Sequence, residues 1–156
     1  MQKASLLCRK PSPEGVRVWL VLLKAVQAIA RNVATELQNH GLGDSDFRVL
    51  EVLLHKGALP VNTIGPKVNL TPGSISVAVD RLYSRGLVSR IEDPNDRRIR
   101  IVDLTLEGKK LIMPVFRRHA ANMEKVMEVL SPRERVQLEA LLKKIGRNAE
   151  RLIANS

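Results

Sequence analysis

Gly86-Leu87-Val88-Ser89-Arg90-Ile91-Glu92-Asp93-Pro94-Asn95-Asp96-Arg97-Arg98-Ile99-Arg100-Ile101-Val102-Asp103-Leu104-Thr105 reads as two short strands joined by a charged loop. Val88 and Ile91 belong to the first strand, and Ile99, Ile101 and Leu104 are expected to supply the apolar face of the second. Asp93-Pro94-Asn95-Asp96 is turn chemistry, because proline presets one backbone torsion and Asx side chains bond the nearby backbone. Arg97, Arg98 and Arg100 follow the turn. A hairpin ending in exposed arginines suits a narrow, negatively charged groove, whereas the same charges in isolation would be a solvated turn.

The segment before the hairpin discriminates between these readings. Thr71-Pro72 is a strong helix start, a threonine N-cap with proline at the first helical position. The helix is expected to run to about Ser84, with Ile75, Ala78, Val79 and Leu82 inward and Gly73, Ser74, Ser76, Val77, Asp80 and Arg81 outward. Ala58 to Val68 should hold a short helix, kinked or starting late because of Pro66. Gly43-Asp44-Ser45-Asp46 opens a further helix that ends near Lys56-Gly57, its two acids favoured at the positive end of the helix dipole.

Long helices are expected on both sides of this block. Residues 1–15 read as a flexible arm. A helix from Val16 to about Asn39 then carries apolar residues at helical spacing and stops at His40-Gly41. Another is expected from Leu106 to Val129, and a last one begins at Ser131-Pro132-Arg133-Glu134, an N-cap followed by proline and then an acid at the third helical position. The fold class expected is mainly α with a small β hairpin, a winged helix-turn-helix. Residues 43–105 form the DNA-binding region, flanked by dimerisation helices at 16–42 and 106–156 whose spare apolar faces predict a symmetric dimer. Two recognition helices would then lie about 34–36 Å apart, one turn of duplex DNA.

Composition agrees. The chain has 156 residues and a net charge of +10, which favours a polyanionic partner. Only 3% of residues are aromatic, which argues against base-stacking modules for single strands. No apolar run is expected to span a bilayer, no signal-peptide core is visible, and the single cysteine excludes an internal disulfide framework. A cytoplasmic protein with no membrane partner and no cofactor is expected. No nucleophile elbow, Gly-rich phosphate loop or paired acids support an enzyme.

The chain resembles the MarR family of bacterial transcription regulators. The matching residues are Gly41-Leu42, Phe47-Arg48-Val49-Leu50, Leu70-Thr71-Pro72-Gly73-Ser74-Ile75, Asp80-Arg81-Leu82, Arg85-Gly86-Leu87-Val88, Asp93-Pro94-Asn95-Asp96-Arg97-Arg98 and Leu104-Thr105-Leu106-Glu107-Gly108. The match runs in order from about Val16 to Leu152. The resemblance implies an obligate homodimer on double-stranded palindromic promoter DNA. It also implies a repressor, released by a small, often phenolic effector or an oxidant acting between the dimer helices and the DNA-binding lobe. Asp96 would orient Arg98 into the minor groove, against the alternative of a surface ion pair of little energetic worth.

On the recognition helix the expected DNA contacts are Thr71, Gly73, Ser74, Ser76, Val77 and Arg81. Small residues there let the backbone approach phosphate, a serine can bond several base edges, and Val77 can touch a thymine methyl. Arg81 is read as a phosphate or guanine contact, or else as an ion pair to Asp80 or Glu92. Arg97 and Arg100 are phosphate candidates, with Arg100 equally readable as a solvated strand residue. Trp19, His40, Phe47 and His55 are candidates to line an effector pocket, against the plainer reading of Trp19 and Phe47 as core. Cys8 precedes the first helix and lacks the tyrosine partners of the family's hydroperoxide sensors, so it reads as a passive thiol. The three histidines lie at no metal-ligand spacing. Two rival readings are a regulator that takes no ligand and a basic helical scaffold for an acidic protein.

Overall fold

A computed structural model describes residues 13–92 and 99–155. Helix α1 spans Pro13–Gln38, α2 Asp44–Lys56, strand β1 Leu59–Pro60, α3 Val61–Val68, α4 Pro72–Ser84, β2 Val88–Glu92, β3 Arg100–Leu104, α5 Leu106–Met127 and α6 Pro132–Ala154. The expected helices are all present. Residues 13–15, assigned to the arm, belong to the first turn of α1; Cys8, Asp96, Arg97 and Arg98 lie outside the described residues.

Local chemistry sets most of the boundaries. Gly57 closes α2 at φ 73° and ψ −157°, a conformation open mainly to glycine, and Asn69 closes α3 in the left-handed region at φ 54°. Pro66 lies inside α3, past its first turn, and removes the bond that an N–H there would make to the Asn62 carbonyl; the helix starts late, at Val61, and runs only 8 residues. The α4 start is as expected: Thr71 Oγ1 accepts from Ser74 N–H at 3.2 Å, and Pro72 follows it. At α6 the capping box is complete. The Ser131 hydroxyl accepts from Glu134 N–H, and the Glu134 carboxylate accepts from Ser131 N–H at 2.8 Å.

The sheet has three antiparallel strands in the order β1-β3-β2 rather than the two of a simple hairpin. β2 and β3 pair from Val88↔Leu104 to Glu92↔Arg100, and Leu59 and Pro60 pair with Val102 and Ile101 on the other side of β3. A two-residue strand containing proline carries no sequence period, so β1 falls within the stretch from Ala58 to Val68 that local sequence assigns to a helix. The buried face of β3 is also corrected. Val102 and Leu104 are buried, Ile101 is only partly so, and Ile99 precedes the strand. Strand side chains alternate, so Ile101 and Leu104 cannot share a face.

The core gathers Leu50 and Leu53 of α2, Ile64 of α3, Ile75 to Leu82 of α4, Val88, Val102 and Leu104 of the sheet, and Ile112 and Val115 of α5. Leu37 and Leu42 bring the end of α1 into the same core. Both flanking segments thus contribute buried residues to the central lobe.

Little of α1 and none of α6 is used in this core. No described residue of α6 is buried, and Val136, Leu141 and Ile145 are 69%, 50% and 49% exposed. On α1, Glu14–Gln38 is long and apolar enough, by length and composition, to cross a membrane, contrary to the expectation that no run qualifies. Lys24 and Arg31 interrupt that stretch, and a cation at mid-span is expensive in a bilayer.

Candidate nucleic-acid interface

Helix α4 rests on α2 and α3 through Ile75, Ala78, Val79 and Leu82, all buried. Thr71, Gly73, Ser74, Ser76, Val77, Asp80 and Arg81 are exposed, as the apolar stripe predicts. The Thr71 cap leaves the first turn open to an anion, because the free N–H groups of a helix start and its dipole both favour negative charge.

Arg81 is placed differently from its expected role. Its guanidinium is engaged with Asp46 of α2: Nε donates at 3.0 and 2.9 Å to the two carboxylate oxygens, and Nη2 donates at 2.6 Å to Oδ1. Nη2 also reaches Ser45 Oγ at 3.1 Å. Asp46 is 2% exposed, the one buried charged group among the described residues. Arg85 adds a looser contact to Asp46 at 3.8 Å, and its Nη1 donates to the Gly41 carbonyl at 3.0 Å. The hydrogen bonds to Asp46, helped by its charge, raise the Arg81 pKa above its ordinary value. The pair joins α2 to α4. The partners anticipated for it, Asp80 and Glu92, are taken by other arginines.

Arg90 of β2 is one of these, a functional position that no local sequence signal marks. Its Nη2 donates to Asp80 Oδ1 at 2.5 Å, and its guanidinium lies 4.7 Å from the centre of the Tyr83 ring. Arg90 thereby ties the first wing strand to α4. A basic residue in a short strand carries no signal that it faces a helix ten residues earlier. Arg100 pairs with Glu92 across the strands at 2.5 Å, the arrangement closest to the solvated reading. Between α3, α4 and the strands lies a groove of about 690 Å³, lined by Val61, Pro66, Ser76, Asp80, Arg90 and Arg100 among others.

The four proposed effector residues do not converge. Phe47 is 3% exposed in the core and meets His119 with ring centres 4.8 Å apart. His55, in the last turn of α2, stands edge-on to Phe116 at 4.7 Å. Trp19 is 57% exposed on α1, and His40 is half-buried in the turn after that helix. A core position and an exposed helix face share a sequence period, which is why these aromatic residues could be read either way. A polar cleft of about 520 Å³ does lie between α1 and α5, lined by residues including Asn32, Glu36, Arg118, Asn122 and Lys125. Asn122 Nδ2 bridges Asn32 Oδ1 at 2.7 Å and Glu36 Oε2 at 2.6 Å there. No group of three or more metal-ligating side chains occurs among the described residues.

Comparison with known proteins fits this geometry. The MarR family model matches residues 42–99. The HTH-type transcriptional regulator MhqR of Bacillus subtilis is 35% identical over 137 residues, covering 88% of this chain and 94% of that protein. The solved structure of Bordetella bronchiseptica BpsR, whose DNA binding is regulated by 6-hydroxynicotinic acid, aligns with a TM-score of 0.71 at 25% identity over 83% of this chain and 98% of that one. A mutant of MarR from E. coli complexed with operator DNA shares the fold, with a TM-score of 0.77 at 23% identity over 85% and 95% of the two chains.

Proposed function

The chain belongs to the MarR family of HTH-type transcriptional regulators, and on that premise we propose that it acts in the cytoplasm as a homodimer on palindromic promoter DNA, as a repressor that a small aromatic effector releases. It is a regulator rather than an enzyme. The observation that carries the DNA reading is α4: its apolar stripe is consumed by the core while its other side, from Thr71 to Arg81, is left to solvent beside a three-stranded sheet. In this reading the first turn of α4 meets phosphate, Ser76 and Val77 meet base edges, and Arg98, steadied by Asp96, enters the minor groove with Arg97 on phosphate. Arg100 reaches phosphate from the strand edge by giving up its Glu92 partner, and Arg81 acts through its pair with Asp46.

The dimer reading rests on the apolar residues of α1 and α6 that the protomer leaves exposed, which a second copy would cover. Effector release is supported by likeness to BpsR, whose DNA binding responds to an aromatic acid. The cleft between α1 and α5 is better formed for a polar ligand than the set Trp19, His40, Phe47 and His55.

Binding of the full chain to the promoter of its own operon should weaken steeply with salt, with a log–log slope near about −0.9 per neutralised phosphate. A flat salt response would remove the DNA reading. Arg98→Ala should lose roughly 1–3 kcal/mol of binding free energy, and unchanged affinity would return Arg98 to a surface ion pair. Titrating the complex with a panel of aromatic acids tests the effector. If none releases DNA, the ligand-independent reading takes its place.

A further inference from the structure

Hydrogen bonds within α4 have already committed the protons of two of its outward hydroxyls. Ser76 Oγ donates to the Pro72 carbonyl at 3.0 Å, and Ser84 Oγ donates to the Asp80 carbonyl at 3.0 Å. A carbonyl only accepts, so the direction of both bonds is settled, and each hydroxyl is left with lone pairs alone. Asp80 lies between them, exposed; its Oδ1 accepts from Arg90, and because a carboxylate offers only acceptors its remaining lone pairs continue the stripe. Residues 76, 80 and 84 recur every four positions and form one stripe along the helix.

The one cationic donor of α4 is directed elsewhere, and the ring of Tyr83 lies beneath the Arg90 guanidinium. The Arg81 guanidinium is held by Asp46 and Ser45. Ser74 accepts from Thr71 Oγ1 at 2.9 Å and keeps its own proton, but it sits in the first turn, where a phosphate oxygen fits. Beside the stripe, Val77 presents a bare isopropyl group, 59% exposed.

In the major groove, acceptors on the protein require donors on the base. Adenine N6 and cytosine N4 supply them, guanine shows only acceptors there, and thymine adds a methyl group. We propose that α4 reads the exocyclic amines of adenine and cytosine through Ser76, Asp80 and Ser84, with Val77 against a thymine methyl, and that guanine is not read by this helix. The proposal rests on the DNA reading above and adds the class of base edge. Ser76 is its central specificity-determining residue.

The test is selection from a randomised duplex pool by the full-length protein, followed by affinities for single-base variants of the enriched site. Ser76→Ala should lose discrimination about five- to tenfold at one position in each half-site, and that position should carry adenine or cytosine on the contacted strand. Its thermal midpoint and salt slope should match those of the parent. Ser76→Lys, which can only donate, should move the preference at that position toward guanine. Ser76→Ala selecting the same site with unchanged discrimination would overturn the proposal. So would a parent protein that binds every duplex equally with a steep salt slope, an outcome that leaves the DNA reading standing. Absence of binding to any duplex would remove both.

Discussion

Asp46 is a carboxylate that is 2% exposed, and Arg81, whose side chain is 44% exposed, is its main partner. The pair is therefore unequal. Arg81→Ala strands a buried negative charge with only Arg85 at 3.8 Å, and should destabilise the protein by about 2–3 kcal/mol. Asp46→Ala leaves an arginine that water can reach, and should cost roughly half as much. Urea unfolding with unchanged m-values reads both, and equal losses would contradict the asymmetry. Read locally, Asp46 is a first-turn acid and Arg81 an outward cation. Their pairing spans 35 positions, a distance over which no spacing rule operates. Gly108 is a second such residue. A Cβ there would lie 2.0 Å from the Leu87 carbonyl oxygen, so α5 starts against the entry to β2 only because this position is glycine. Gly108→Ala should lower stability by roughly 1–3 kcal/mol in the same assay.

Helix ends were the most legible elements, because a cap is decided by three or four neighbouring residues. Thr71-Pro72 and Ser131-Pro132-Arg133-Glu134 form the caps that their sequences announce. The second has a pH signature. Hydrogen bonds from the Ser131 hydroxyl, and then from its backbone N–H, hold the Glu134 carboxyl below its ordinary pKa of 4.5. A carboxyl whose folded pKa is depressed contributes fully above the unfolded value and loses that contribution as pH falls through the folded one. Relative to Glu134→Gln, the parent should hold a higher thermal midpoint at neutral pH, and the gap should close as pH falls through the depressed folded value. A gap that persists in acid would show that ionisation of Glu134 does not matter to the cap. The strands were less legible. β1 is too short for a period, and the inward face of β3 follows from its pairing with Leu59 and Val88 rather than from counting isoleucines.

Across the protomer the core closes without α6, although Leu138, Leu141, Leu142 and Ile145 recur on it at helical spacing. If these residues form the dimer contact, Leu141→Glu should weaken self-association at least about tenfold, since burying one leucine is worth roughly 1.5–3 kcal/mol and a symmetric interface counts it twice. Sedimentation should then find monomers at concentrations where the parent is paired, and affinity for the promoter should fall with the lost second half-site. An unchanged mass would move the contact off α6. The sequence by itself determined the helices, their caps, the inward stripe of α4 and the family, because each depends on residues close together along the chain or on motifs in a set order. Only the tertiary structure decided that Arg81 braces α2, that Arg90 ties the wing strand to α4, that Phe47 is core and that the sheet has a third strand. Those outcomes depend on which charges and faces meet across long separations, and the packing of the whole core sets that.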